Sequence, residues 1–293
     1  FAPQSRSENH QDVELRGIYT MIGRKWYKMQ QMNSIAAFLH SHGIKLNKDL
    51  GQHFLVDESV LQRILETAAI TPEDHLLEIG AGIGVLTREL TKRAKQVTTI
   101  ELDRRMIELL KKFTENPENL TIVQGNALQT DFPDDEYKIV ANIPYHITSP
   151  LLRHAFLESK RSPKTITLLI QREVAEKICD TEDYGMLTIL VALFGKPELI
   201  KVVKPGAFLP PPKVDSAILH IECFDEPKAD TKTIEEVFRL TKAGFSKKRK
   251  MLRNSIGELE GGMALMERVG IDPTRRPQNL NIEEWIRLAK IAS

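Results

Sequence analysis

Three groups of residues carry types and spacings that could do chemistry together. The first is an apolar run entering a loop with glycine at every second position: Leu76–Gly84, LLEIGAGIG, with Gly80, Gly82 and Gly84. Glycines spaced this way let a strand turn tightly into a helix and let the backbone approach a ligand that a Cβ would obstruct. The second is Glu101, which closes another apolar run, Val97–Ile100, nineteen residues past Gly82. A carboxylate in that place can accept hydrogen bonds from both hydroxyls of a ribose. The third is Asn142-Ile143-Pro144-Tyr145, at the end of a further strand-like run, Tyr137–Ala141. If all three lie at strand ends, they share the carboxyl edge of one parallel sheet, where such sheets bind ligands.

The glycine loop separates two chemistries. A dinucleotide fingerprint needs its third glycine at position 85, where Val85 stands, with glycine at 84 instead. The form E-x-G-x-G-x-G, beginning at Glu78, suits S-adenosylmethionine, which has no pyrophosphate to cradle; a bare tight turn is the alternative. Asn126, in QGNA after the third strand-like run, offers an amide oxygen to the exocyclic amine of a cofactor adenine. An asparagine serving only its own turn fits equally well.

Asn142–Tyr145 is the most specific group. The exocyclic nitrogen of adenine is a poor nucleophile because its lone pair is delocalised into the ring. Two acceptors aimed at its N–H groups, the Asn142 side-chain oxygen and a backbone carbonyl assigned to Ile143, would draw it toward tetrahedral geometry. Pro144 fixes the backbone for that carbonyl, and Tyr145 offers a ring to an extruded base, worth about 1–3 kcal/mol. A strand ending in a proline turn with a surface tyrosine is the bland alternative. Phe208 precedes three prolines in Lys204–Asp215, KPGAFLPPPKVD. That stiff connector makes it a candidate second stacking face, against the ordinary reading of a core phenylalanine. Lys242–Arg253, KAGFSKKRKMLR, has six basic residues and no acid. It is expected to form a phosphate-binding helix through Lys247, Lys248, Arg249, Lys250 and Arg253, rather than only a solvated face. His146 and Lys48 could join that surface.

The surrounding sequence supplies elements to position these groups. Strand-like and helix-like runs alternate: His75–Ile79, Val85–Arg93, Val97–Glu101, Arg104–Phe113, Leu120–Val123, Tyr137–Ala141, Ser149–Glu158, Thr165–Ile170, Arg172–Ile178 and Leu187–Phe194. That rhythm predicts an α/β fold, a parallel sheet with helices on both faces. Leu199–Val203 and Ala217–Cys223 then follow one another without a helix, an ending that suits a methyltransferase-type sheet better than a dehydrogenase-type one. Upstream, a helix is expected at Ser34–Ser41 and another up to about Ala69, with Leu46–Leu55 an ordered loop between them. Beyond Pro227 the pattern predicts helices alone, at Thr231–Gly244, Lys247–Ile256, Met263–Val269 and Ile282–Ile291. The expected division is a disordered extension over residues 1–31, a cofactor-binding catalytic domain over 32–226, and a small all-α domain over 227–293. The acidic residues Glu8, Asp12 and Glu14 argue against a transit peptide in the extension.

Composition bounds the reading further. The net charge of +1 conceals an asymmetry, with 13 Lys+Arg against 9 Asp+Glu in residues 229–293 and 23 against 28 in residues 32–228. An anionic partner is therefore expected at a local patch. No run approaches the roughly 18 apolar residues of a membrane span. The two cysteines, Cys179 and Cys223, give no disulfide framework, which fits a reducing cytoplasm. His40 and His42 have no accompanying ligand set, so no metal is expected.

Taken together, NKDLGQHFL, LEIGAGIGVLT, IELDRRM, NIPYHITSPLL, QREVAEKI, YGMLTILVALF, AFLPPPKVDSA, AGFSKKRKMLRNSI and GIDPTRRPQNL resemble the ribosomal RNA adenine dimethyltransferase family of the KsgA type, over about residues 34–293. The resemblance implies a Rossmann-like fold with S-adenosylmethionine as donor. It implies transfer of two methyls to N6 of each of two adjacent adenosines in the 3′-terminal hairpin loop of small-subunit rRNA. The substrate would be a pre-assembled subunit late in biogenesis, and the enzyme a cytoplasmic monomer. By position, cofactor contacts fall on His53, Leu55, Gly80, Gly82, Glu101, Asn126 and Asn142. Asn142, Ile143, Pro144 and Tyr145 would hold the target amine, and Phe208 would help stack its base. Two departures stand out: the family commonly has asparagine where His53 stands and aspartate where Asn126 stands. The rival readings are the related large-subunit methylase that confers macrolide resistance, a nicotinamide dehydrogenase, and an idle rRNA-binding assembly factor.

Overall fold

A computed structural model describes residues 35, 37–39, 41, 53–247 and 250–292. The expected disordered extension and residues 46–52 of the expected loop lie outside the described residues. Residues 35, 37–39 and 41 are helical.

The strands, in chain order, are β1 (Phe54–Leu55), β2 (His75–Ile79), β3 (Gln96–Glu101), β4 (Leu120–Gln124), β5 (Lys138–Asn142), β6 (Thr165–Gln171), β7 (Gly195–Val203), β8 (Phe208–Leu209) and β9 (Ser216–Cys223). Seven form one sheet in the order β4-β3-β2-β5-β6-β9-β7. β2 to β6 run parallel, as their nearly continuous apolar sequences require, since both faces of a parallel sheet are covered. β9 is antiparallel to β6 and to β7. β7 starts four residues earlier than its hydrophobic run, because ladder pairing with β9 carries it on. Pro197 is tolerated there because β7 is the edge strand. β1 and β8 make a separate antiparallel pair, with Phe54 opposite Leu209 and Leu55 opposite Phe208.

The helices are α1 (Glu58–Thr67), α2 (Val85–Thr91), α3 (Arg104–Thr114), α4 (Thr148–Arg153, continued by a π-helical turn His154–Glu158), α5 (Arg172–Ile178), α6 (Met186–Phe194), α7 (Thr231–Phe245), α8 (Gly262–Val269) and α9 (Ile282–Ala292). Their starts are written in the sequence: Asp57, Asp103 and Asp230 each accept a backbone N–H of the first turn of α1, α3 and α7. Among the described residues of Lys247–Ile256 the expected α-helix is not formed. Leu252–Asn254 and Ile256–Glu258 are 3-10 turns. The Leu252 and Arg253 N–H groups bond to the distant carbonyls of Arg275 (2.8 Å) and Pro273 (3.0 Å), not to a preceding helical turn.

One hydrophobic cluster runs from Leu77 and Ile79 through Phe156 and Phe194 to Val237, Leu252 and Trp285. The helices beyond residue 227 thus share a core with one face of the sheet. A second cluster, with Ile64, Leu76, Val97, Val140 and Ile218, covers the other face. A third joins Ile35 and Leu39 to Phe54, Ile83 and Met106, behind the glycine loop.

Candidate active site

The strand order places β2 between β3 and β5 and reverses direction there, so the carboxyl ends of these strands open one crevice. A cavity of about 300 Å³ occupies it. Its lining includes His53, Leu55, Gly80, Gly82, Glu101, Asn126, Asn142, Ile143, Pro144 and Tyr145. The first seven and Asn142–Tyr145 are the residues the sequence marks for donor and base, gathered in one place.

All three loop glycines sit in the left-handed region, with φ of +72° at Gly80, +56° at Gly82 and +93° at Gly84. At Gly80 the positive φ alone calls for glycine, since a Cβ there would stand at ordinary contact distance, 3.7 Å, from Pro144 Cδ. At Gly82 a Cβ would meet the Phe54 ring at 2.9 Å. The loop is tied to the next strand by Glu101: its Oε2 accepts the Gly82 N–H at 2.9 Å and its Oε1 accepts the Asp103 N–H at 2.9 Å. Burial raises the Glu101 pKa, against the pull of the backbone donors. Each oxygen retains a lone pair that a ribose hydroxyl can use. The next residue, Leu102, is 68% exposed and lines the cavity, an apolar surface for a flat ring.

On the other side of β2, Asn142 donates from Nδ2 to the His53 carbonyl at 3.0 Å. This fixes the amide plane, and Oδ1 receives no hydrogen bond from the described residues. Pro144, with φ −57° and ψ 130°, leads into the 3-10 turn Tyr145–Ile147. The Tyr145 hydroxyl and the Ser216 hydroxyl are partners at 2.6 Å, and burial raises the tyrosine pKa. The His53 ring lies nearly parallel to Tyr145, with centroids 5.9 Å apart and planes at 22°. Its Nδ1 lies 2.8 Å from the Pro210 carbonyl. Tyr145 is therefore held at its hydroxyl by β9 and beside its ring by a residue tied to the proline connector.

One expectation is corrected. Phe208 does not face the cavity: it is 1% exposed, because its pairing with Leu55 turns it into the core beneath the sheet. It acts as an anchor for the connector, not as a stacking face. Asn126 lines the cavity as expected; its Oδ1 accepts the N–H of Leu128 at 3.0 Å, closing its own turn, and keeps a second lone pair. Among the basic residues, Lys247 and Lys250 are exposed and Lys247 pairs with Glu258. Arg253 is likewise exposed. These three lie on the turn segment and not on a helix, while Lys248 and Arg249 lie outside the described residues. Sequence reasoning missed Phe54, Leu102 and Ser216. An exposed leucine directly after Glu101 is the one local signal among them. Among the described residues no group of three or more His, Cys, Asp or Glu side chains could hold a metal, and no helix is long and apolar enough to cross a membrane.

The profile of the family described as ribosomal RNA adenine dimethylase matches residues 43–293. A Clostridium botulinum protein named ribosomal RNA small subunit methyltransferase A is 40% identical over 86% of this chain and 95% of its own length. A Dehalococcoides mccartyi protein of the same name is 40% identical over 85% and 89%. Among solved structures, a dimethyladenosine transferase from Plasmodium falciparum aligns with a TM-score of 0.71 at 31% identity, covering 80% of this chain and 96% of that one. The 23S rRNA methyltransferase ErmE aligns with a TM-score of 0.65 at 30% identity, covering 81% and 98%.

Proposed function

The chain belongs to the ribosomal RNA adenine dimethylase family and is an S-adenosylmethionine-dependent rRNA adenine dimethyltransferase; from that premise we propose that it dimethylates N6 of two adjacent adenosines in the 3′-terminal hairpin loop of small-subunit rRNA. In this reading it acts late in subunit assembly, on a partly built particle, as a cytoplasmic monomer. The observation that carries the chemistry is the Asn142 amide, pinned through Nδ2 so that Oδ1 is left as an acceptor beside the donor cavity. The small subunit is favoured over the large because the bacterial relatives named for it are more similar to this chain than ErmE is.

The cavity fits the donor by its own features: a glycine loop in the left-handed region with no room for a Cβ at Gly82 and Gly84, a carboxylate oriented by two backbone N–H groups, and an exposed leucine beside it. Gly80, Gly82, Glu101, Leu102 and the backbone around His53 would hold it. When bound, S-adenosylmethionine supplies an electrophilic methyl group on a sulfonium. The protein's task is to present the nucleophile. Asn142 Oδ1 and the Ile143 carbonyl accept from the target amine and draw its lone pair out of conjugation. Tyr145, locked at its hydroxyl, gives the extruded base a fixed stacking surface. No strong base is needed, since the methylated ammonium is acidic. The exposed Lys250 and Arg253 contact RNA phosphates.

The test is radiolabelled methyl transfer to under-methylated small subunits, with the nucleoside identified and its position mapped by primer extension. Label in N6,N6-dimethyladenosine of the terminal hairpin is expected. Modification mapped to large-subunit rRNA would overturn the target assignment.

A further inference from the structure

The chemistry above uses the backbone of His53 and leaves its ring without a task. The carbonyl accepts the Asn142 Nδ2 hydrogen at 3.0 Å and so orients the amide oxygen. The imidazole is held as well. Its Nδ1 lies 2.8 Å from the Pro210 carbonyl. A carbonyl can only accept, so Nδ1 carries the hydrogen and the connector sets the ring plane. That plane lies within 22° of the Tyr145 ring, with centroids 5.9 Å apart. Tyr145 is itself held at its hydroxyl by Ser216 at 2.6 Å. Two flat rings, each fixed by a hydrogen bond at its rim, thus stand parallel in the cavity lining.

An extruded base is read at its edge and gripped on its faces. Asn142 and the Ile143 carbonyl serve the edge, and Tyr145 serves one face. The other face lacks the residue the sequence offers for it, since Phe208 is buried beneath the sheet. Of the other rings in the lining, Phe54 is 7% exposed and lies against Gly82, on the donor side. His146 belongs to the 3-10 turn that carries Tyr145. Among the described residues, His53 is the ring stacked parallel to Tyr145. An imidazole stacks on an unpaired base as the larger aromatic rings do.

We propose that His53 supplies the second stacking face: the target adenine lies between the Tyr145 and His53 rings with its amino edge toward Asn142. A base needs about 3.5 Å on each side, or about 7 Å between the rings. The empty protein has 5.9 Å, so the rings part by at least about 1 Å when the base enters. One residue then shapes two sides of the pocket: its carbonyl orients the acceptor for the amine, and its ring closes the slot over the purine. The inference deepens the adenine chemistry above and rests on it, whichever rRNA carries the target.

Single-turnover methyl transfer to under-methylated small subunits, at saturating S-adenosylmethionine, separates a stacking ring from a mere tether to the connector. His53→Phe keeps a flat ring and loses the bond to Pro210. His53→Asn keeps an N–H donor and loses the ring. His53→Ala loses both. Transfer should fall about 5- to 150-fold in His53→Ala and His53→Asn, the worth of one stacked base at about 1–3 kcal/mol. It should stay within about threefold of wild type in His53→Phe. A tether predicts the reverse order, with His53→Asn active and His53→Phe as impaired as His53→Ala. If His53→Phe proves unfolded in urea titrations, His53→Tyr set against His53→Leu makes the same comparison of ring with no ring. Transfer in the ring-bearing variant as low as in His53→Ala, or transfer at the wild-type rate in His53→Asn, would overturn the inference. Wild-type protein that labels large-subunit rRNA and leaves small subunits untouched would instead strike at the target assignment, and the same order of variants would then be read on that RNA.

Discussion

Replacing Gly82 by alanine should loosen the donor site more than it loosens the fold. The residue has φ +56°, a left-handed conformation that costs an L-residue about 1–2 kcal/mol. Its new Cβ would stand 2.9 Å from Phe54 Cε1 and 3.3 Å from Cδ1. That ring cannot swing aside freely, since Phe54 is 7% exposed and belongs to the cluster with Ile83, Met106 and Leu109. Forcing a methyl into such a place costs about 1–3 kcal/mol. The loop can shed most of the strain by opening the Gly82 N–H bond to Glu101, which disorders the carboxylate meant for the ribose. Donor affinity should therefore fall ten- to a hundredfold, about 1.4–2.7 kcal/mol, with a smaller drop in urea midpoint. Gly206→Ala is the control, because its Cβ would meet nothing within 4 Å and its φ is not in the left-handed region. Isothermal titration of both variants decides the matter. Wild-type affinity in Gly82→Ala would refute the claim that this glycine exists to bring the loop against Phe54 and Glu101.

Three further outcomes follow from the same geometry. Tyr145→Phe leaves the buried Ser216 hydroxyl without its partner, a loss of about 1–3 kcal/mol; adding Ser216→Ala should cost less than the sum of the single changes in a double-mutant cycle. Phe208→Ala empties a core position 1% exposed, so urea unfolding should show a loss of about 3–5 kcal/mol; an unaltered stability with weakened binding of target RNA would restore the stacking role that burial denies it. In the empty protein Glu78 keeps its proton to about pH 7, while in the unfolded chain it ionises near 4.5. Its raised folded pKa makes the native state bind more protons over that interval, so stability should fall by about 3 kcal/mol as pH rises from 4.5 to 7; Glu78→Gln should flatten that slope in urea titrations.

The sheet was legible in the sequence because each parallel strand is an apolar run stopped by glycine, proline or a polar turn, and burial on both faces leaves no other use for such runs. His75–Ile79 and Arg172–Ile178 fall where the pattern put them. The candidate residues at strand ends were legible for the same reason: a parallel sheet gathers those ends at one edge. Contacts that depend on distant pairing were hidden. Nothing near Phe208 announces that it pairs with Leu55, and nothing near His53 announces the Pro210 carbonyl or the Asn142 amide. Lys247–Ile256 has helical spacing, yet four successive cations weaken a helix there, the Leu252 and Arg253 N–H groups bond to the Arg275 and Pro273 carbonyls, and Leu252 and Ile256 are buried in the core. Asn126 was ambiguous from the start, since asparagine serves a ligand or its own turn with the same atoms.

The central claim is that the Asn142 amide oxygen, held in place by the His53 carbonyl, presents the target nitrogen. Single-turnover methyl transfer by Asn142→Ala, measured beside RNA binding and donor binding, tests it most directly. Transfer should collapse by two to three orders of magnitude, about 2.7–4 kcal/mol as for loss of one preorganised polar group, while RNA and donor are still bound. Transfer at the wild-type rate in that variant would contradict the account.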